Sequence, residues 1–182
     1  MRKIPFDPQL AKRLQKQYQM EKPPADLNEL IDFARAQVIA TDRGREWIAS
    51  IRDGKMAIGE TDADRGHSIV SQDGREVKVM CGYDALGTSL IRGEGLINAT
   101  CFHCGEKMEI EIKGSELVRV SHPSILFWIG DGPKGIPICD HYNFFPGPKH
   151  LDGWLETNPE ELGVALTLEE AIEFLTLSHE GL

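Results

Sequence analysis

Period-two alternation of apolar residues enters this chain only beyond about residue 60, and no other feature limits the fold as strongly. Before that point apolar residues recur at helical spacing. Leu10, Leu14 and Tyr18 fall on one face of a segment over residues 7–20, with Asp7 placed to cap it and Pro8 at its first helical position. Pro23 and Pro24 break that pattern. Asp26 then caps a second helix whose buried stripe is Leu27, Leu30, Ile31, Ala34, Val38, Trp47 and Ile48, ending near "RDGK". Beyond residue 60 the period shortens to two. "IVSQDGREVKVM" reads as a hairpin turning at Asp73-Gly74. "LINATCF", the cleanly alternating "KMEIEIKG", "LVRVS" and the apolar run "SILFWIG" read as strands.

A helix interrupts these strands, running from "CGYDAL" to about residue 91. A loop, "DGPKGIP", precedes "ICDHYNFF". The chain closes with a short helix in "PKHLDGWLETNP", a strand in "GVALT" and a helix in "TLEEAIEFLTLSHEG". Thr167 and Glu170 make a capping box for the last helix, and Leu168, Ala171, Ile172 and Leu175 its inner face. The expectation is an α+β fold: a helical N-terminal region over residues 1–60, then a small mixed or antiparallel sheet core with flanking helices over residues 61–182.

Composition removes several function classes. The 182 residues carry a net charge of −9, which disfavours nucleic acid and anionic membrane as partners. The local basic run of Lys12, Arg13 and Lys16 reads as a solvated helix face. No apolar run approaches the ~18 residues of a membrane span. The basic start lacks the apolar stretch of a signal peptide. A cytoplasmic protein is expected, in a reducing compartment where cysteines serve as metal ligands, catalysts or buried apolar groups rather than as disulfides.

The cysteines stand at 81, 101, 104 and 139. Two readings compete. All four thiolates can share one tetrahedral zinc, although only Cys101 and Cys104 form a CxxC pair. Alternatively, Cys81 and Cys139 form a reactive pair. Cys81 lies at a helix start, where backbone N–H groups favour a thiolate. Asp84 is one turn on and faces the same way. A carboxylate there opposes thiolate formation, so its presence points to a proton donor or relay. Both residues also have bland readings, Cys81 as a small buried hydrophobe and Asp84 as a helix cap. Among their neighbours, His103 reads as an exposed loop residue, His141 as a residue at or behind the site, and Asp140 as a fallback proton donor. Phe144, Phe145, Trp128 and Trp154 read as core.

The stretches "CGYDAL", "ATCFHCGEKMEIEI", "ICDHYNFF" and "KHLDGWLETNPEELGVALTLEEAIEFL" together resemble the alkylmercury (organomercurial) lyase family, over about residues 76–177. The resemblance implies a carbon–metal bond lyase with Cys81, Asp84 and Cys139 as its catalytic set, and with Cys101 matching a structural cysteine. Cys81 as thiolate would capture mercury, a soft metal that prefers sulfur, Cys139 would add a second sulfur, and Asp84 would accept a thiol proton and pass it to carbon. The implied products are a hydrocarbon and Hg(II) bound by the two thiolates, with no cofactor required. An organometallic small molecule is the implied substrate, and cellular thiols or a thiol-bearing acceptor take the metal. Three departures stand out. Residues 1–60 read as plain helices where the family commonly carries a winged-helix-like part. Met80 stands where an aromatic is common. Cys104 turns one cysteine into a pair, which offers a second metal grip or a zinc at Cys101 and Cys104. The alternative without catalysis is a zinc-binding protein or metallochaperone that uses all four thiols.

Overall fold

A computed structural model describes residues 4–39, 41–131 and 138–179. Three helices come first: α1 (Pro8–Gln17), α2 (Leu27–Ile39) and α3 (Asp42–Arg52). Asp7 caps α1 as its position predicts, its carboxylate accepting from the Gln9 N–H at 2.8 Å. Asp26 does the same for α2, accepting from the Glu29 N–H at 3.1 Å. The single helix expected from Leu27 to "RDGK" is in fact two. Thr41 starts a new helix by accepting from the Gly44 N–H at 3.0 Å, and a side-chain cap of this kind favours a fresh helix start. Leu27, Leu30, Ile31 and Ile48 are buried, while the Val38 side chain lies outside the described residues.

Two antiparallel sheets follow. The first has five strands in the order β2 (Glu76–Val79), β1 (His67–Val70), β3 (Glu94–Thr100), β4 (Lys107–Lys113) and β5 (Glu116–Val120). The β1–β2 hairpin pairs Ile69 with Val77 and turns through Gly74, whose φ of +80° suits a residue without Cβ. In β4 the alternation is literal, with Met108, Ile110 and Ile112 inward and Lys107, Glu109 and Lys113 outward. The second sheet has three strands in the order β7 (Tyr142–Phe145), β6 (Leu126–Asp131) and β8 (Leu162–Thr167). The loop expected over 131–137 lies, from residue 132, outside the described residues.

Helix α4 (Gly82–Arg92) connects the edge strand β2 to the central strand β3, on the other side of β1, and packs on β1, β3 and β7. A 3-10 turn (Ile138–His141) leads into β7, α5 (Pro148–Thr157) follows it, and α6 (Leu168–His179) closes the chain. The Thr167–Glu170 capping box forms in both directions, at 3.0 and 3.2 Å. One apolar cluster runs from Leu10 and Leu14 of α1 through Ile69, Ile97 and Ile110 to Phe127, Phe144 and Leu175. Trp128, Trp154, Phe144 and Phe145 belong to it, as the sequence predicts. Arg13 departs from its reading as a solvated side chain. It reaches across to the carbonyls of Asp131 and Glu160, at 3.2 and 2.8 Å, and so pins α1 to the ends of β6 and β8. Lys12 and Lys16 are exposed, as expected.

Candidate functional site

Cys81 is the N-cap of α4, in extended backbone immediately after β2. Asp84 stands in the first turn of that helix, and both side chains are buried. Cys139 comes from the 3-10 turn before β7 and is half-buried. One sulfur from each cysteine and one Asp84 oxygen lie within 4.8 Å of one another. Residues 58 apart in sequence meet because α4 packs against β7. Gly82 permits the approach: a Cβ there would stand 3.0 Å from the Phe144 ring and 3.1 Å from the Tyr142 carbonyl.

A buried relay holds the turn that carries Cys139. His67 of β1 contacts the Asn143 side-chain oxygen at 3.3 Å, and Asn143 donates to the Asp140 carbonyl at 2.8 Å. Burial lowers the His67 pKa to about 4, so at neutral pH it is uncharged and donates its one N–H to Asn143. Asp140 itself forms an ion pair with Arg65. It is not one of the three converging groups, so the geometry gives no support to its expected role as a fallback proton donor. His141 is not one of them either and pairs with Glu161 at 2.5 Å in the protein interior.

Asp84 is held in place from a second direction. The segment before β1 runs beside β2, with the Met80 N–H donating to the Gly59 carbonyl at 3.0 Å. Gly59 has φ of +58°, and a Cβ on it would overlap the Asp84 carboxyl. The Thr88 hydroxyl of α4 fixes this segment by accepting from the Ile58 N–H at 2.9 Å.

The electrostatics split the thiols. The Cys81 proton faces two acceptors, the Asp84 carboxyl at 3.3 Å and the Cys139 sulfur. Its hydrogen bond to Cys139, then burial, then the Asp84 charge push the Cys81 thiol far up. The same hydrogen bond pulls Cys139 down. Of the two thiols, Cys139 is therefore the one that ionises first, and Cys81 the one that keeps its proton. Burial raises Asp84 above the usual carboxylate range, although the Cys81 thiol and backbone N–H draw it part of the way back.

These groups open into a cavity of about 250 Å³. Its walls are largely apolar or aromatic: Leu30 and Ile31 from α2, Tyr18 from the end of α1, Tyr83, Tyr142 and Phe174. The Tyr18 and Tyr142 hydroxyls share a hydrogen bond of 2.7 Å, and burial lifts the Tyr18 phenol to about 12. The volume lies just below the ~300–1,000 Å³ of sites for drug-sized ligands, which limits the occupant to a small molecule.

Cys101 and Cys104 lie in a different place. They group with His150 of α5, again with ligand atoms within 4.8 Å. Among the described residues the four thiols thus form two sets, and the expected single zinc shared by all four does not fit the geometry. All four cysteines are free. His103 is exposed, as expected. Sequence reasoning missed Gly59, Asn143 and His150. Gly59 lies outside every motif, Asn143 lies within "ICDHYNFF" but meets His67 only through folding, and His150 becomes a neighbour of the CxxC in the same way.

The family model for alkylmercury lyase (MerB) matches residues 61–178. Among solved structures, one described as the mercury-bound form of MerB2 is similar in fold, with a TM-score of 0.55 at 16% sequence identity, over 93% of this chain and 97% of that one. No curated protein matches the sequence.

Proposed function

Because the chain belongs to the alkylmercury lyase family, its activity is that of an organomercurial lyase, and we propose that it breaks the carbon–mercury bond by protonolysis at Cys81, Asp84 and Cys139. The observation that carries this reading is the convergence of two sulfurs and a carboxyl within 4.8 Å at the floor of a small apolar cavity. Two soft donors suit mercury, and the cavity wall suits the organic group bound to it.

The steps follow from where the protons sit. Cys139, the thiol with the lowered pKa, attacks R–Hg–X as thiolate and displaces X. Cys81 then binds the metal and gives its proton to Asp84 along the existing 3.3 Å contact. Asp84, whose burial favours the protonated form, passes that proton to carbon. The electron pair of the C–Hg bond becomes the C–H bond, R–H leaves, and Hg(II) stays on two thiolates beside a regenerated carboxylate. Proton transfer of this kind contributes about 10²–10⁴-fold. The thiols and the carboxyl supply the chemistry, so no cofactor enters these steps. Cellular thiols or a thiol-bearing acceptor then remove the ion, which completes a detoxification. Free cysteines throughout fit a reducing compartment such as the cytoplasm. Among the described residues no helix is long and apolar enough to cross a membrane, and the acidic net charge of −9 favours neither nucleic acid nor an anionic membrane as a partner.

Mercury-edge X-ray absorption on protein after one turnover tests the dithiolate product. Two sulfur neighbours are expected in the wild type, with hydrocarbon release abolished in both Cys81→Ser and Cys139→Ser. Full release from either variant would overturn the assignment.

A further inference from the structure

The second set of thiols stands apart from this chemistry and has a geometry of its own. Cys101 and Cys104 leave the β3–β4 connection in a tight turn. The Gly105 N–H donates to the Cys101 carbonyl at 2.9 Å, and the Cys101 N–H to the Glu106 carbonyl at 2.9 Å. Gly105 has φ of +76°, which brings the chain back on itself just after the second sulfur. Into this turn α5 delivers His150, whose Nδ1 lies 3.3 Å from the Cys104 sulfur. All three ligand atoms are within 4.8 Å of one another.

We infer that Cys101, Cys104 and His150 form a site for a borderline-soft divalent cation of the zinc class. Zinc holds sulfur at ~2.3 Å and imidazole nitrogen at ~2.0–2.1 Å, so around a tetrahedral ion sulfur and nitrogen stand roughly 3.5–3.6 Å apart and two sulfurs roughly 3.8 Å. The Cys104–His150 separation of 3.3 Å is within a few tenths of an ångström of that spacing. Two sulfurs and one imidazole exclude the hard, oxygen-seeking cations.

The surroundings set the imidazole for this task. The Glu106 carboxylate lies 3.8 Å from Nε2, the far nitrogen of His150. It is itself anchored by His122 Nε2 at 2.8 Å, and His122 Nδ1 meets the Ser121 hydroxyl at 2.8 Å. A carboxylate on that side favours the proton on Nε2 and leaves the Nδ1 lone pair facing the sulfurs, the usual arrangement behind a metal-bound histidine. Cys101 is buried, His150 half-buried and Cys104 exposed. A fourth coordination position therefore faces solvent, open to water. A bound cation would clamp the β3–β4 turn onto the first turn of α5. Trp154 of that helix packs on Phe145 of β7, the strand that follows Cys139.

Cobalt(II) titrated into reduced, metal-free full-length protein tests the site, because thiolate–cobalt charge transfer and tetrahedral ligand-field bands report the donors directly. One equivalent is expected to saturate the signal, with zinc displacing it. Cys104→Ser and His150→Ala should each weaken binding by about tenfold or more, given that even outer-shell changes at metal sites cost ~10–100-fold. The Cys81→Ser, Cys139→Ser double variant should retain the spectrum. Should that double variant not fold, the comparison of wild type with the exposed-site variant Cys104→Ser decides alone. Absence of binding, a spectrum unchanged in His150→Ala, or one lost with Cys81 and Cys139 but kept in Cys104→Ser would overturn the site. None of these results depends on hydrocarbon release.

Discussion

A carboxyl can protonate carbon only if it is both aimed and protonated, and in this protein neighbouring residues meet the two needs separately. Burial raises the Asp84 pKa, while Gly59 leaves the space its carboxyl occupies. Gly59→Ala adds a Cβ that overlaps that carboxyl and places a non-glycine residue at φ +58°, which costs about 1–2 kcal/mol in backbone strain. Hydrocarbon release in this variant should fall by about 10²-fold, the usual effect of moving a reacting group by an ångström. Gly54→Ala is the control. Its φ is +70° with nothing within 4 Å of the added atom, so strain alone results and turnover should persist. Equal turnover in Gly59→Ala and wild type would remove Gly59 from the account. At this scale the sequence was informative only locally. Cys81 and Asp84 are one helical turn apart, and their proximity can be read from spacing. Gly59 and Asn143 act through tertiary contacts that no local pattern encodes.

At the scale of elements, the end of β6, the turn before β7 and the start of β8 meet at the buried His141–Glu161 pair. Burial draws the His141 pKa down, but the Glu161 hydrogen bond and the charges of Glu161, Asp131 and Asp140 outweigh it and raise the value. A histidine raised in the folded state stabilises fully below its unfolded value of about 6.5, and that contribution is lost as pH rises through the folded value. Urea midpoints should therefore fall as pH is raised above about 6.5, and His141→Gln should flatten this dependence; parallel curves for the two proteins would contradict it. Most elements themselves were legible. The β1–β2 hairpin, the alternation of β4 and the α6 capping box form where turn chemistry and periodicity place them. The break between α2 and α3 was missed because the apolar stripe runs on past it, and one Thr41 hydroxyl decides the boundary. Arg13 was misread because its partners, the Asp131 and Glu160 carbonyls, lie more than 110 residues away.

For the whole molecule, the division at residue 60 marks a change of period rather than a gap in packing. Ile4, Leu10 and Leu14 share one apolar cluster with Phe127 and Leu175, and Tyr18, Leu30 and Ile31 wall the cavity over Cys81 and Cys139. The expectation is that residues 1–60 and 61–182 unfold together, giving one calorimetric transition whose van't Hoff and measured enthalpies agree; two resolved transitions would separate them. That the N-terminal helices roof the site was not legible, because helical spacing shows which face is buried and not against what. The convergence of Cys139 on Cys81 was one of two readings the cysteine positions left open, and only the family resemblance favoured it, since spacing cannot bring two distant cysteines together. The decisive measurement is methane released from methylmercury in a single turnover with excess thiol, wild type beside Asp84→Asn, with bound mercury quantified in the same samples. Mercury bound at the wild-type level with methane reduced by at least about 10²-fold is the predicted result; methane released from Asp84→Asn at the wild-type rate would contradict the proton role on which the account depends.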